Sequence, residues 1–566
     1  MRRILPVLLA LVLLSSCSQR RGVVTVKVIA TSDVHGRFFD KDCLDGNERP
    51  GSLAKFSTYI RQVRKDFRNV VYVDCGDILQ GSVETFQDMT SEFYKPSLAA
   101  SIYNWLGCDA AAFGNHDISV GVSSYERFFR SVAFPVIGSN VYFDDYGDYL
   151  PACTVVERHG VRIGLIGLTT QVVNWSVPSD IISDLRVHDM IESASYLTSV
   201  LKDETDVIIA VVHSGYDGGR IDVENRVREL AMSVPDIDAV IYGHDHLARC
   251  EKLVNGSDSV LVINPGAGAV NAADVTLTVD FRDRDNPAVS VSGSIAGLTS
   301  LPADPEFIST FSDRYADVMA YSDSIIGKAT VPLESGCALW RPASAIEYIH
   351  SIQMRFSGAQ VSLTAPVALK GIIRTDTMSV RDVFSLYPFD NNMVSVMMKG
   401  SEIRRVLEHS VSKFYNTVGN GAGPLLKMKP DGRPQCDMSR FITACGIDYT
   451  VNVTKPEGKR VDVVSMSDGT PFSDDAMYRT TINSFLFSGT ESPLREALGV
   501  GLKDFAARQN LSSPTDLKYY IITAFALKNE EGREVRIPRY ANWKLVPENV
   551  TDGFLAVDTV NFKFKL

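Results

Sequence analysis

The chain has 566 residues, 45% hydrophobic and 22% charged, an ordinary globular composition on a chain too long for one comfortable core. Its formal net charge of −11 argues against a surface built to grip long nucleic acid, because a polymer of phosphates calls for a basic face. A small phosphorylated ligand stays compatible with that charge, since a metal centre brings its own positive charge.

Arg2 and Arg3 precede an apolar stretch, Ile4 to Leu14, that is too short to span a bilayer. Leu14-Ser15-Ser16-Cys17 comes next and is similar to a bacterial lipobox, small residues for cleavage and then a cysteine to carry lipid. Residues 1–17 are expected to be a signal peptide ending at lipidated Cys17. The mature chain would be an exported lipoprotein of the cell envelope, meeting the membrane through acyl chains alone. Eight further cysteines run from Cys43 to Cys445 with no CxxC pair. Cys75, Cys108 and Cys153 sit in or beside apolar runs that suit buried free thiols, and Cys436 with Cys445 is the closest pair for a disulfide.

From Val23 to about 300, compact apolar runs alternate with segments of helical period. Val23 to Ala30, Val70 to Cys75, Ala110 to Phe113, Arg162 to Leu168, Val207 to Val212 and Ala239 to Tyr242 read as strands buried on both faces. Leu53, Phe56, Ile60, Val63 and Phe67 recur at helical spacing, and Ile191 to Leu201 does much the same. The alternation predicts an α/β sandwich of sheet and covering helices. Residues 301–326, with Pro305, Phe307, Phe311, Tyr315 and Val318, predict one solvated helix joining two bodies. A second, mixed α/β domain is expected over 327–566, with a strand at Met393 to Met398 and a helix at Ser401 to His409.

The residues that carry chemistry sit directly after the strands. Asp33-Val34-His35 comes after the first, Gly76-Asp77 after the second and Gly114-Asn115-His116-Asp117 after the third. His213 succeeds Val207 to Val212, and Gly243-His244-Asp245-His246 succeeds Ala239 to Tyr242. Strand ends of an open α/β sheet share one edge. Asp33, His35, Asp77, Asn115, His213, His244 and His246 can therefore converge as ligands for two divalent ions. Oxygen and imidazole donors suit Zn, Mn, Fe or Co, and the lack of a thiolate argues against a closed structural zinc site.

That ordered series resembles the calcineurin-like metallophosphoesterase superfamily, and within it the secreted two-domain nucleotidases, over essentially all of the chain after the signal. Gly76 to Gly81 and Pro135 to Asn140 read as further stretches of that family's first domain. Val361 to Pro366 and Arg381 to Asn391 resemble the bifunctional 2′,3′-cyclic-nucleotide 2′-phosphodiesterase/3′-nucleotidases. A glycine-rich loop with an arginine, usual in 5′-nucleotidases, is replaced by Ala365-Pro366. His246 also looks more like the cyclic phosphodiesterases, since 5′-nucleotidases often carry an amide there.

The resemblance implies a linker helix and a substrate-binding second domain of 5′-nucleotidase type. Asp33, His35 and His246 would hold one ion, Asn115, His213 and His244 the other, with Asp77 shared. His116, beside Asn115, would stabilise the transition state or protonate the leaving group. The family commonly supplies an acidic or amide residue three places after that histidine, where this chain has Ser119, so Asp117 or a distant residue must orient it. Phe441, Phe485 and Phe487 fall where the family presents aromatics that stack on the base. The expected activity is hydrolysis of 2′,3′-cyclic and 3′-nucleotides. The alternatives are a 5′-nucleotidase or broader nucleotide phosphohydrolase, and a binding lipoprotein on a dead scaffold, although no ligand position is lost. Neither a nucleic-acid polymer nor a protein partner is expected.

Overall fold

The computed structural model describes residues 22–90, 96–143, 147–148, 150–255, 258–283, 287–366, 372–373, 376–418, 424–548 and 551. Cys17 and the rest of the expected signal peptide lie outside them. Among the described residues no helix is long and apolar enough to cross a membrane.

The apolar runs of the first domain do form strands, but they are divided between two six-stranded sheets. Edge to edge, the first sheet runs Ala288–Gly297, Asn271–Asp280, Val23–Thr31, Val70–Asp74, Ala110–Ala112, Val136–Ile137. The second runs Arg249–Asn255, Asp258–Asn264, Ala239–Tyr242, Val207–His213, Val161–Thr169, Cys153–Arg158. Val26, Val28, Val71 and Val73 of the first sheet share one buried core with Ile163, Leu165, Ile209 and Val211 of the second. Residues of the opposite parity pack beneath helices: Ile29 and Tyr72 join Leu53, Phe56 and Ile60 of helix Leu53–Asp66. Ile208, Ala210 and Val212 likewise join Ala194 and Leu197 of helix Met190–Leu201. Burial on both faces explains why the central strands read as unbroken apolar runs rather than as alternation.

Parallel pairing sets the register that matters for the site. Thr31 lies opposite Asp74, Asp74 beside Ala111, and Val212 opposite Tyr242. The polar motifs at the ends of these strands therefore emerge together, three from one sheet and two from the other.

The joining segment differs from the expected single solvated helix. It is two helices, Pro305–Thr310 and Ser312–Asp323, meeting at Phe311. Phe307, Phe311 and Val318 are buried, Phe307 edge-on to Phe39 and Trp105, and Tyr315 edge-on to Phe39. An apolar stripe at helical spacing gains more by docking on the first domain than by staying in water.

The second domain is built on a five-stranded sheet in the order Thr443–Cys445, Val361–Thr364, Met477–Asn483, Asn392–Lys399, Gln509–Asp516. Helix Gly400–Phe414 covers it with a stripe of Ile403, Val406, Leu407 and Val411. The two domains touch directly. Phe86 meets Phe384 edge-on at 5.3 Å, the Ser512 amide donates to Asp180 at 2.7 Å, and Arg220 donates to the Ser488 carbonyl at 2.8 Å. The eight cysteines from Cys43 to Cys445 are free thiols.

Candidate metal and substrate site

Five of the seven expected ligand residues, Asp33, His35, Asp77, His244 and His246, have positive φ, a backbone region that residues with a Cβ seldom adopt. Such strain is kept only where surrounding structure enforces it, and here it falls on the turns leaving the sheets. Two glycines make those turns possible. A Cβ on Gly114 would collide with Asp77, and one on Gly243 would collide with Ser32 and Asp33.

The turns deliver two adjoining clusters. In one, Asp33, His35 and His246 bring their donor atoms together; in the other, Asp77, His213 and His244 do so. Asn115 joins the second, its Oδ1 standing 3.0 Å from His213 Nε2. Asp77 Oδ2 lies 3.2 Å from His213 Nε2 and 3.8 Å from His35 Nε2, so one carboxylate reaches both clusters. Backbone carbonyls set the tautomers. His35 Nδ1 donates to the Gln80 carbonyl and His213 Nδ1 to the Cys75 carbonyl, each at 2.8 Å. With Nδ1 so occupied, each ring turns Nε2 toward the clusters, where it would serve a cation once its proton is displaced, the usual arrangement behind a metal-bound histidine.

The electrostatics of the clusters suit cations. Burial works to raise the Asp77 carboxyl, but the His213, His116 and His35 imidazoles outweigh it and hold it well below its ordinary value. Asp33 is likewise lowered, its burial outweighed by a hydrogen bond to His246. Against its own burial, His213 is pushed up to about 10 by Asp77 and Asp33. His35 Nε2 and His246 Nε2 face one another at 3.2 Å, within reach of an N–H···N hydrogen bond and close enough for a single cation to take both nitrogens. The residues fit two divalent cations.

Glu224 is a member of the site that the sequence did not reveal. It lies between strand Val207–His213 and helix Val227–Ser233, and no motif marks it. Its Oε1 stands 3.3 Å from His244 Nε2 and 2.7 Å from Arg220 Nε. Burial would raise this carboxyl, yet the hydrogen bonds to His244 and Arg220 hold it at about 2. With Nε2–H given to Glu224, His244 keeps Nδ1 for a metal.

Asp117 is not the group that bonds the His116 ring. Its carboxylate accepts the backbone amides of Asp77, Ile78 and Leu79 at 2.8 Å and of Gly114 at 3.0 Å, which fastens the Asp77 turn to the start of helix Asn115–Ser119. The group that bonds the His116 ring is Gln80, whose Oε1 accepts from Nδ1 and also from the Ser119 hydroxyl at 3.3 Å. Burial lowers His116 to about 4.

The clusters open into a cavity of about 830 Å³ between the domains. His35, Asp77, Asn115, His116, Glu224, His244 and His246 line one side; Phe389, Asp390, Asn391, Arg440, Asn483 and Phe485 line the other. Of the three predicted aromatics only Phe485 lines it. Phe441 is buried, packed against Phe414 and Trp543, and Phe487 is fully buried against Phe505. Both rings face the second domain's core, where they remove more apolar area from water than at a wet rim. Phe389 is 52% exposed and stands at the cavity instead. Its loop is pinned by the buried Lys518, which donates to the Phe389 carbonyl at 2.7 Å and pairs with Asp390.

Comparison with known proteins agrees with this geometry. Residues 26–248 match the family model described as calcineurin-like phosphoesterase, and residues 325–495 the one described as 5′-nucleotidase, C-terminal domain. A trifunctional nucleotide phosphoesterase protein of Bacillus subtilis is 23% identical over 82% of this chain, and the aligned region spans only 36% of that relative's length. A 2′,3′-cyclic-nucleotide 2′-phosphodiesterase/3′-nucleotidase of Haemophilus influenzae is 24% identical over 93% of this chain and 88% of its own. Among solved structures, the NAD nucleotidase of Haemophilus influenzae shares the fold at a TM-score of 0.61, with 16% identity over 93% of this chain and 99% of that one.

Proposed function

The chain belongs to the calcineurin-like phosphoesterases and carries a 5′-nucleotidase C-terminal domain, and from that premise we propose that it hydrolyses 2′,3′-cyclic nucleotides and 3′-nucleotides. The observation that carries this reading is the convergence of seven ligand candidates in two adjoining clusters, five of which (His35, Asp77, Asn115, His244 and His246) line one wall of a cavity whose other wall offers Phe389, Asn391 and Phe485. Asp33, His35 and His246 would hold one divalent cation, and His213, His244 and Asn115 a second, with Asp77 between them. Bound there, such ions supply Lewis-acid stabilisation of phosphoryl oxygens and a source of nucleophilic water near neutral pH.

The chain's own residues do the rest. Asn115 and His116 line the cavity beside the clusters, where they can bond the non-bridging oxygens or the leaving oxygen of a phosphate ester. Phe485 and Phe389 offer apolar surface for a base, and Asn391 and Asn483 offer amides for polar edges. Three features support the preference for phosphate on O2′ and O3′: His246 in the first cluster, Ala365-Pro366 in place of a glycine-rich loop, and the likeness to the Haemophilus influenzae phosphodiesterase/3′-nucleotidase.

Release of phosphate and nucleoside from 2′,3′-cyclic AMP, 3′-AMP and 5′-AMP, and of p-nitrophenolate from bis(p-nitrophenyl) phosphate, tests the proposal. We expect kcat/KM for the first two to exceed that for 5′-AMP by roughly 10-fold or more, since misplacing the reacting phosphorus by about 1 Å can cost ~10²-fold. Faster cleavage of 5′-AMP with the cyclic diester left intact would make the protein a 5′-nucleotidase. We also propose export and tethering through Cys17, on the strength of Leu14-Ser15-Ser16-Cys17. Labelled palmitate should enter the wild-type chain and not Cys17→Ser; equal labelling of the two would refute the tether.

A further inference from the structure

We propose that Gln80 is the positioning residue that holds His116 for the reaction, doing with a neutral amide what the carboxylate of Asp117 does not do. The inference rests on the phosphoesterase reading for its chemistry, and on geometry alone for its structural part.

Gln80 is 7% exposed and lies three residues beyond Asp77, on the same turn that leaves strand Val70–Asp74. It acts with two oxygens. The backbone carbonyl accepts from His35 Nδ1 at 2.8 Å, and the side-chain Oε1 accepts from His116 Nδ1. One residue therefore imposes the same tautomer on two neighbouring imidazoles, whose rings stand edge-on with centroids 5.5 Å apart. In each ring Nδ1 is tied back and Nε2 is left to the site. Ser119, where an acidic or amide residue is expected, donates to the same Oε1 and to the His116 carbonyl, so it braces the amide rather than replacing it. Asp117, the one carboxylate adjacent in sequence, is spent on four backbone amides. What the contact requires of position 80 is an acceptor oxygen at this reach, which the amide supplies.

The two oxygens can be separated by mutation. Gln80→Ala removes the side-chain contact to His116 and keeps the carbonyl contact to His35, so metal content should stay as in the wild type. With 3′-AMP, whose ribose oxygen leaves poorly, kcat should fall about 10- to 100-fold while KM changes little. With p-nitrophenyl esters, whose phenolate leaves readily, the loss should be much smaller. Gln80→Glu restores an acceptor oxygen and should recover most of the rate. Because Gln80 acts through His116, the double variant Gln80→Ala/His116→Ala should be no slower than His116→Ala alone. Equal losses on both leaving groups, loss of metal, or additivity with His116→Ala would each overturn the proposal.

A structural readout is independent of turnover. In protein labelled with ¹⁵N-histidine, the His116 signals, assigned by their loss in His116→Ala, should report a single Nδ1–H tautomer in the wild type. In Gln80→Ala they should report a mixture. An unchanged tautomer would overturn the positioning role even if the wild type hydrolysed none of the nucleotides. Inactivity with a changed tautomer would instead fault the substrate reading alone. If Gln80→Ala does not fold, Gln80→Asn, shorter by one methylene, gives the same two readouts.

Discussion

Asp77→Asn is expected to lower the metal content of the purified protein by half or more and kcat/KM by roughly 10³-fold or more. Among the described residues Asp77 is the carboxylate that reaches histidines of both clusters, with Oδ2 3.2 Å from His213 Nε2 and 3.8 Å from His35 Nε2. Its Oδ1 also accepts the His116 amide at 2.8 Å, so the carboxylate is fixed from behind. Asparagine keeps the volume and one acceptor oxygen but loses the charge, and it turns an N–H₂ toward imidazole nitrogens or toward the His116 amide. The buried site, with Asp77 at 1% exposure, has no solvent to make up the missing anion. Elemental analysis and steady-state rates on the same preparation check this. Asp33→Asn provides the contrast, since Asp33 belongs to one cluster and should remove less metal. Full metal occupancy in active Asp77→Asn protein would end the two-cation reading.

His116→Ala should leave the metal content unchanged and reduce kcat by ~10²–10⁴-fold, the range for loss of a general acid or of a hydrogen bond made in the transition state. Position is the reason the two effects separate. His116 lines the cavity and its ring is bonded to Gln80, while the two ligand clusters are complete without it. Burial keeps the free imidazole largely unprotonated at neutral pH, and an anionic phosphate brought into the cavity favours the protonated form that can assist a leaving oxygen. The deficit should therefore grow as the leaving group becomes more basic, being larger for nucleotides than for p-nitrophenyl esters. Metal loss on this substitution would show instead that His116 is a ligand.

The Glu224 network adds a link between the clusters and the second domain. Glu224 bonds His244, Arg220 bonds Glu224, and Arg220 also donates to the Ser488 carbonyl across the domain boundary. A histidine of the second cluster is thus oriented by a carboxylate whose own partner rests on the other domain.

The residues that gather in the two candidate clusters were legible in the sequence because coordination chemistry restricts donor types, and each donor sits directly after an unbroken apolar run. Asp33, Asp77, Asn115, His213 and His244 could be named from that local signal alone. The strands were legible for the same reason: burial on both faces leaves a run of branched and small side chains that few other elements share. Only the tertiary structure decided that those strands divide between two sheets, since an apolar run does not specify its neighbour. It decided as well that Gln80 and not Asp117 bonds the His116 ring, a contact between residues 36 positions apart. Glu224 gave no signal, because a glutamate in a polar loop looks the same whether it faces solvent or a histidine. Among the aromatics, Phe441 and Phe487 face the core while Phe389 and Phe485 face the cavity. The physical reason is common to all of these cases: composition and period fix what a side chain can do, while the packing of distant segments fixes where it points.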